Sequence, residues 1–300
     1  MKYNYLSIGI CTAFLIYAAN SWSANKNSEN LITTEQKSYP IENKNLNESS
    51  GLACSNKDKH VLWSHNDSGH MPIIYAMNHK GKDLATFYIE ENSWEEKLIA
   101  NDWEDMDAFK YQGGNYLLIA DTGDNFRLRF DYQIFIIKEP DLMNKQRSII
   151  SPAWSFSFKY EDGHSYDVES VAVDVINEKI ILLSKRTDHA LMFALPLNPK
   201  NTDVTQIARK IGEFKNIKKA SALDISADGQ LMSINSYARI HRFYRRVSTE
   251  KKLKNSWVYK DSLKYKNLFQ PEAMCLSKSG KKYYVTSERK SKLVKVKVPL

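Results

Sequence analysis

The 300 residues carry 43 Lys and Arg against 35 Asp and Glu, a formal net charge of +8, with seven histidines and three cysteines. There is no G-x-S-x-G elbow, Walker loop, H-E-x-x-H or Cys-x-x-Cys, and no histidine pair at zinc spacing, which argues against serine-hydrolase, P-loop and His-rich zinc chemistry. Beyond one apolar run at the N-terminus no segment is apolar enough to span a bilayer, so the rest reads as one globular domain of about 250 residues.

Met1-Lys2 opens the chain, Tyr5 to Ala19 is nearly all apolar, and Ser21-Trp22-Ser23 before Ala24 offers a small-x-small cleavage site. Residues 1–23 therefore read as a secretory signal peptide, and the expected location is periplasmic or secreted. The run is shorter than the roughly 20 residues of a membrane span, and Ile10 before Cys11 does not fit a lipoprotein box. Residues 24–47 are a polar leader rich in Asn, Ser, Glu and Lys.

From residue 48 onward one small signature recurs. It appears as Ser50-Gly51-Leu52-Ala53, Glu104-Asp105-Met106-Asp107, Glu169-Ser170-Val171-Ala172, Ser221-Ala222-Leu223-Asp224 and Glu272-Ala273-Met274-Cys275. Each signature precedes a turn rich in strand breakers, such as Gly113-Gly114-Asn115 or Asp228-Gly229, and then a second apolar strand, such as Tyr116 to Ile119 or Ile180 to Leu183. A third strand follows in every repeat, and a more polar fourth in all but the last. A strand-built period near fifty residues predicts an all-β β-propeller over 48–300. A β-sandwich requires no fixed period.

The count read from the repeats is five blades. Six is the alternative if the long second repeat hides a degenerate unit near Arg127 to Ser151. The fifth repeat reaches Leu300 without a fourth strand, which would leave a sheet edge unpaired. Leu31 to Ile41 is expected to fill that place, pairing with the strand near Leu293 to Val298 and closing the ring.

Cys54 and Cys275 lie on first strands that become neighbours once the ring closes. They form a disulfide or remain two buried thiols. Their offset of one place aims the side chains at opposite sheet faces, which counts against the bond. Charge is uneven: residues 241–300 hold 17 Lys and Arg against 4 Asp and Glu, while 81–130 hold 5 against 11. The basic C-terminal region suits an anionic surface such as lipid, lipopolysaccharide or cell-wall polymer, or is a solvated Lys-rich face. No specific nucleic-acid motif is present.

In a propeller, the start of strand one and the end of strand two share a rim. The starts are Ser50, Glu104, Glu169, Ser221 and Glu272, and the ends offer Asn66, Asp67, Asp121, Lys185, Asn235 and Glu288. Asp102 and Asp167 lie two places before a start, and Arg186 and Arg289 follow Lys185 and Glu288. Crowded carboxylates need a cation or basic side chains to compensate them. Either a hard Ca²⁺ or Mg²⁺ sits on Glu104, Asp121, Glu169 and Glu272, or internal ion pairs alone order the mouth. The loops His65-Asn66-Asp67-Ser68-Gly69 and Asp121-Thr122-Gly123-Asp124-Asn125 each bring together a carboxylate, a hydroxyl and a glycine. Asn66, Asp67, Asp102, Asp124, Asn125, Asp167 and Arg289 are the expected ligand contacts.

Several segments carry a family resemblance: Glu48 to Ala53, His65 to Gly69, Asp102 to Asp105, Asp121 to Asn125, Glu139-Pro140, Asp167 to Ser170 and Ser184 to Arg186. With these the chain resembles exported bacterial propellers of the SdiA-regulated and phytase-like group, and more distantly the calcium-using propeller phosphatases, esterases and lactonases. The resemblance implies a toroidal fold with a polar channel mouth; five blades would depart from the six usual in phytases and lactonases. Two functions follow as expectations. One is a monomeric envelope propeller that binds a small molecule, a glycan or an envelope protein. The other is a metal-dependent hydrolase of an ester or phosphoester. There His65 or Glu288 would be the general base, and Lys185 with Arg186 would hold an anionic group.

Overall fold

A computed structural model describes residues 30–90, 98, 100–143, 148–246, 256–266, 268–287 and 291–299. The expected signal peptide lies outside the described residues, as do Glu288 and Arg289.

Two short strands come first, β1 (Leu31–Thr33) and β2 (Gln36–Pro40). The first repeat forms β3 (Ser49–Cys54), β4 (Val61–Asn66), β5 (Ile73–Asn78) and β6 (Asp83–Ile89). The second forms β7 (Trp103–Tyr111), β8 (Gly114–Asp121), β9 (Tyr132–Lys138), β10 (Ser148–Ile150) and β11 (Pro152–Tyr160). The third forms β12 (Val168–Asp174), β13 (Lys179–Ser184), β14 (Ala190–Pro196) and β15 (Gln206–Phe214). The fourth forms β16 (Ala222–Ile225), β17 (Leu231–Ser236), β18 (Arg239–Arg246) and β19 (Ser256–Lys264). The last forms β20 (Pro271–Leu276), β21 (Lys282–Ser287) and β22 (Lys292–Lys297). No helix occurs among the described residues.

Each repeat is an antiparallel meander. The second and third meanders are joined at their outer edges, where β11 pairs in parallel with β15. Strand β3 lies against β7, β7 against β12, β12 against β16, β16 against β20, and β20 returns to β3. The sheets thus stand around one axis, as a β-propeller. Strands β3, β4 and β12 are buried along their whole length, β13 is buried after its first residue and β8 from Leu117 onward, as strands covered on both faces must be. Outer strand β15 is exposed or half-buried at every residue but Ala208.

Apolar clusters fill the gaps between neighbouring meanders, of which the second and third belong to one eight-stranded sheet. Trp63, Phe87, Ile119 and Phe135 lie between the first and second, and Leu118, Phe158, Val171 and Leu182 between the second and third. Leu183, Leu223, Ile234 and Phe243 join the third to the fourth, Ala222, Leu263, Met274 and Val285 the fourth to the fifth, and Leu52, Tyr75, Cys275 and Leu293 the fifth to the first. Within the fourth sheet Arg242 grips Asp261 with two hydrogen bonds of 2.6 and 2.7 Å, both side chains buried.

Strand β2 pairs antiparallel with β22, from Gln36 opposite Val296 to Pro40 opposite Lys292, and supplies the missing fourth strand of the last sheet. The expected closing segment is divided, however. Leu31 to Thr33 pair in parallel with Ser262 to Lys264 of β19, one sheet away. The crossing is fastened by Thr34 Oγ1 on the Lys264 carbonyl at 2.9 Å and Gln36 Nε2 on the Lys266 carbonyl at 2.8 Å. Among the described residues, the long second repeat holds no further meander between Arg127 and Ser151. Its surplus is the loop before β9 and strand β10, which adds to the outer edge of β6.

Cys54 and Cys275 are bonded, with Cα atoms 5.6 Å apart. Their offset in the repeat, which counted against the bond, is what permits it. Adjacent sheets meet front to back, so side chains of opposite parity share the gap. Leu52 and Cys54 come from one face, Ala273 and Cys275 from the other.

Candidate functional site

The first strands are irregular at one recurring place. Pairing with the second strand shifts register between Ser49 and Gly51, between Trp103 and Met106, between Val168 and Ser170, and between Pro271 and Ala273. The residues skipped are Ser50, the pair Glu104-Asp105, Glu169 and Glu272, which carry the recurring signature. A bulge leaves its extra residue unpaired and re-aims the side chain. Here it turns these groups toward the channel.

Glu104 sits at the centre. Carboxylate oxygens of Asp67, Asp102 and Glu104 lie within 4.8 Å of one another, and so do those of Glu104, Asp167 and Glu169. Ser50 Oγ donates to Glu104 at 3.3 Å. Lys185 Nζ contacts Glu169 and lies 3.0 Å from Glu272. Arg186 Nε is 2.6 Å from Asp167, and its guanidinium reaches Asn125. Six carboxylates therefore face two cationic side chains.

The imbalance shows in their acidity. Burial, then the charges of Asp67 and Asp102, holds the Glu104 carboxyl well above its ordinary pKa, against the pull of Lys185. Asp102 is pushed up to about 7 by burial and then by Asp67, with Arg129 opposing. Burial also raises Asp67, where the Ser68 N–H pulls the other way, and Glu272, against Lys185.

The all-oxygen donor set suits a hard divalent cation. Two local observations fit one. Among the described residues, Asp102 Oδ1 is buried with no hydrogen-bond partner. Glu104 and Asp102 also close over the bare Cα of Gly123: a Cβ there would lie 2.2 Å from Glu104 Oε1 and 2.4 Å from Asp102 Oδ2.

The four residues expected to hold a metal fall in different places. Glu104 and Glu169 belong to the cluster. Asp121 does not: its carboxylate accepts Asn101 N at 2.9 Å and pairs with Arg129 at 2.7 Å. Glu272 stands outside both carboxylate triplets, 3.0 Å from Lys185. Asp67, Asp102 and Asp167, expected as ligand contacts, complete the carboxylate cluster. Asn66 is a loop staple, accepting Glu48 N at 3.1 Å and donating to the Asn45 carbonyl at 2.6 Å. Asp124 is another, accepting Leu128 N, Arg129 N and the Tyr132 hydroxyl.

His65 is not at the mouth. It is fully buried in the wall, edge-on to Trp103 at 5.3 Å. Its partner across the strands is Gly51, whose missing Cβ leaves room for the imidazole. Burial lowers its pKa to about 4, against the backbone groups of Asn66 and Asp105.

Further down the channel are carboxylates that sequence reasoning missed. Asp105, wholly buried, accepts Val171 N of β12 at 2.8 Å and Leu223 N of β16 at 3.1 Å. Asp107 accepts Val173 N at 2.7 Å, and Asp224 accepts Leu276 N at 2.7 Å. They tie together first strands that share no ladder. Asp107 and Asp224 occupy the same fourth place of the signature, a regularity that would have found them. Burial raises both, and the Asp107 charge helps bring Asp224 to about 7.

No family model matches the sequence, and no curated protein matches it. Similar solved structures include the β-propeller domain of Myceliophteria thermophila Cps50 (Swd1), 7% identical over 84% of either chain with a TM-score of 0.45. The WD40 repeats of RRP9 are 12% identical over 84% of this chain and 67% of that one, with a TM-score of 0.40.

Proposed function

We propose that this chain is an exported, five-bladed propeller that binds its ligand at the acidic mouth, with Ca²⁺ or Mg²⁺ held by Asp67, Asp102, Glu104, Asp167 and Glu169. The five blades are those built on β3, β7, β12, β16 and β20. Glu104 carries the proposal, because it belongs to both carboxylate triplets at once. The cation would compensate the crowded carboxylates and offer a Lewis-acidic contact to a ligand oxygen. The ligand itself is a small molecule, a glycan or a loop of an envelope protein. The apolar run of residues 5–19 and the bonded cysteines agree with an oxidising compartment.

Binding is preferred to ester hydrolysis on the placement of the expected catalytic residues that the structure describes. His65 is walled in, and Lys185 and Arg186 are tied to carboxylates. Thermal unfolding in a Ca²⁺ or Mg²⁺ series tests the proposal. Stability should rise with the logarithm of free metal above its dissociation constant, by about 2.7 kcal/mol at a hundredfold excess. Glu104→Gln with Glu169→Gln should abolish the rise. A wild-type protein indifferent to both ions, and stabilised by that double substitution, would leave the carboxylates merely repelling one another.

A further inference from the structure

Next to the acidic mouth the protein holds apolar side chains out in water. In the loop after β8, Phe126, Leu128 and Phe130 are 84%, 72% and 91% exposed. Single exposed apolar residues are ordinary. Three alternating ones on a braced loop are not. The Asp124 carboxylate accepts Leu128 N at 2.8 Å and Arg129 N at 3.0 Å. Arg129 donates to the Gly123 carbonyl at 2.9 Å, pairs with Asp121 at 2.7 Å and lies over the Tyr132 ring. Ser165 Oγ fastens the Arg129 carbonyl at 2.7 Å. The prong is fixed in place rather than left to fold back on the surface.

Arg127, in the middle of the prong, also lines a cavity of about 910 Å³. Lys185, Arg186, Lys218 and Lys219 line it too, against the acids Asp188 and Glu272, and Glu272 is already paired with Lys185. The backbone around it adopts a conformation rare for non-glycine residues. Arg127, Lys219, Tyr237 and Gln270, all lining the cavity, have φ of 54°, 53°, 48° and 45°. Tyr237 and Ala238, both at positive φ, make the tight turn between β17 and β18 without the Asn or Gly such turns favour. That turn sets Tyr237 on the rim, 62% exposed, and Phe269 stands beside Gln270, 55% exposed.

We propose that this face docks on an anionic lipid bilayer. Phe126, Leu128 and Phe130 enter the boundary between headgroups and acyl chains, while a lipid phosphate sits in the cavity on Arg127, Lys218 and Lys219. Apolar prongs beside clustered cations are the combination by which peripheral proteins hold anionic membranes. A convex prong next to a cationic hollow matches a lipid, whose chains and phosphate lie side by side. Of the carboxylates behind the cavity, Asp167, Glu169 and Glu272 are bonded by Lys185 and Arg186, which leaves Arg127, Lys218 and Lys219 for the phosphate.

The test is sedimentation of the mature chain with vesicles, in chelator, so that any cation at the mouth plays no part. One set is phosphatidylcholine alone and the other is phosphatidylcholine mixed with phosphatidylglycerol. The mixed vesicles should retain the protein and the neutral ones should not. Phe126→Ser with Phe130→Ser should weaken binding at least about tenfold, and Lys218→Gln with Lys219→Gln should weaken it similarly and flatten its salt dependence. All four side chains are exposed, so melting curves should be unchanged. Phe126→Trp should add emission that brominated acyl chains quench. Absence of vesicle binding would overturn the proposal in favour of a protein partner for the prong. Retention that ignores both double substitutions, or added emission that escapes quenching, would overturn it too.

Discussion

Replacing both Cys54 and Cys275 by Ala should lower the melting temperature more than any surface change. The bond links first strands at opposite ends of the chain, 221 residues apart, at the junction where β2 also completes the last sheet. On the chain-entropy account, a loop of that length loses about 5 kcal/mol of unfolded-state freedom when closed. For a domain of this size each kcal/mol moves the midpoint by about 2–4 °C, so the expected drop is about 10–20 °C. Differential scanning calorimetry of the wild type with and without reductant, beside the double variant, measures it. The reduced wild type should melt with the variant, and reductant should not move the variant further. Coincident melting of oxidised and reduced wild type would refute the reasoning. The ring would then be held at this seam by β2 and the cluster of Leu52, Tyr75 and Leu293 alone.

Gly123→Ala should weaken cation binding by more than about tenfold in calorimetric titration, since its Cβ would displace Glu104 and Asp102, while the fold survives. Arg242→Met should cost about 3–5 kcal/mol in urea unfolding by leaving Asp261 buried and unpaired, and adding Asp261→Leu should recover most of it. In chelator, stability should fall as pH rises from about 4 to about 7: Asp102 titrates near 7 in the fold against roughly 4 unfolded, so the native state binds the extra proton. Asp102→Asn should therefore gain on the wild type above pH 7 and lose that advantage near pH 4, and a gap independent of pH would rule out this assignment.

The regular period made the first strands legible, and with them Glu104, Glu169 and Glu272, because a signature residue that recurs at a bulge must be re-aimed the same way each time. Individual roles were less legible. Nothing in the string Asp121 to Asn125 says that Arg129 neutralises Asp121, or that Asp124 turns back to brace its own loop. His65 stands at the end of a strand, where wall and rim look alike; its cross-strand neighbour Gly51, which makes space for the ring, was the available clue. The cysteine parity misled because it was judged within one sheet, whereas the contact is made between the front of one sheet and the back of the next.

Elemental analysis of the protein, purified without chelator and exchanged into metal-free buffer, tests the central claim most directly. About one Ca²⁺ or Mg²⁺ per chain is expected, lost in Glu104→Gln with Glu169→Gln. A wild-type protein that carries no divalent ion, and takes none up on dialysis against either, would contradict it.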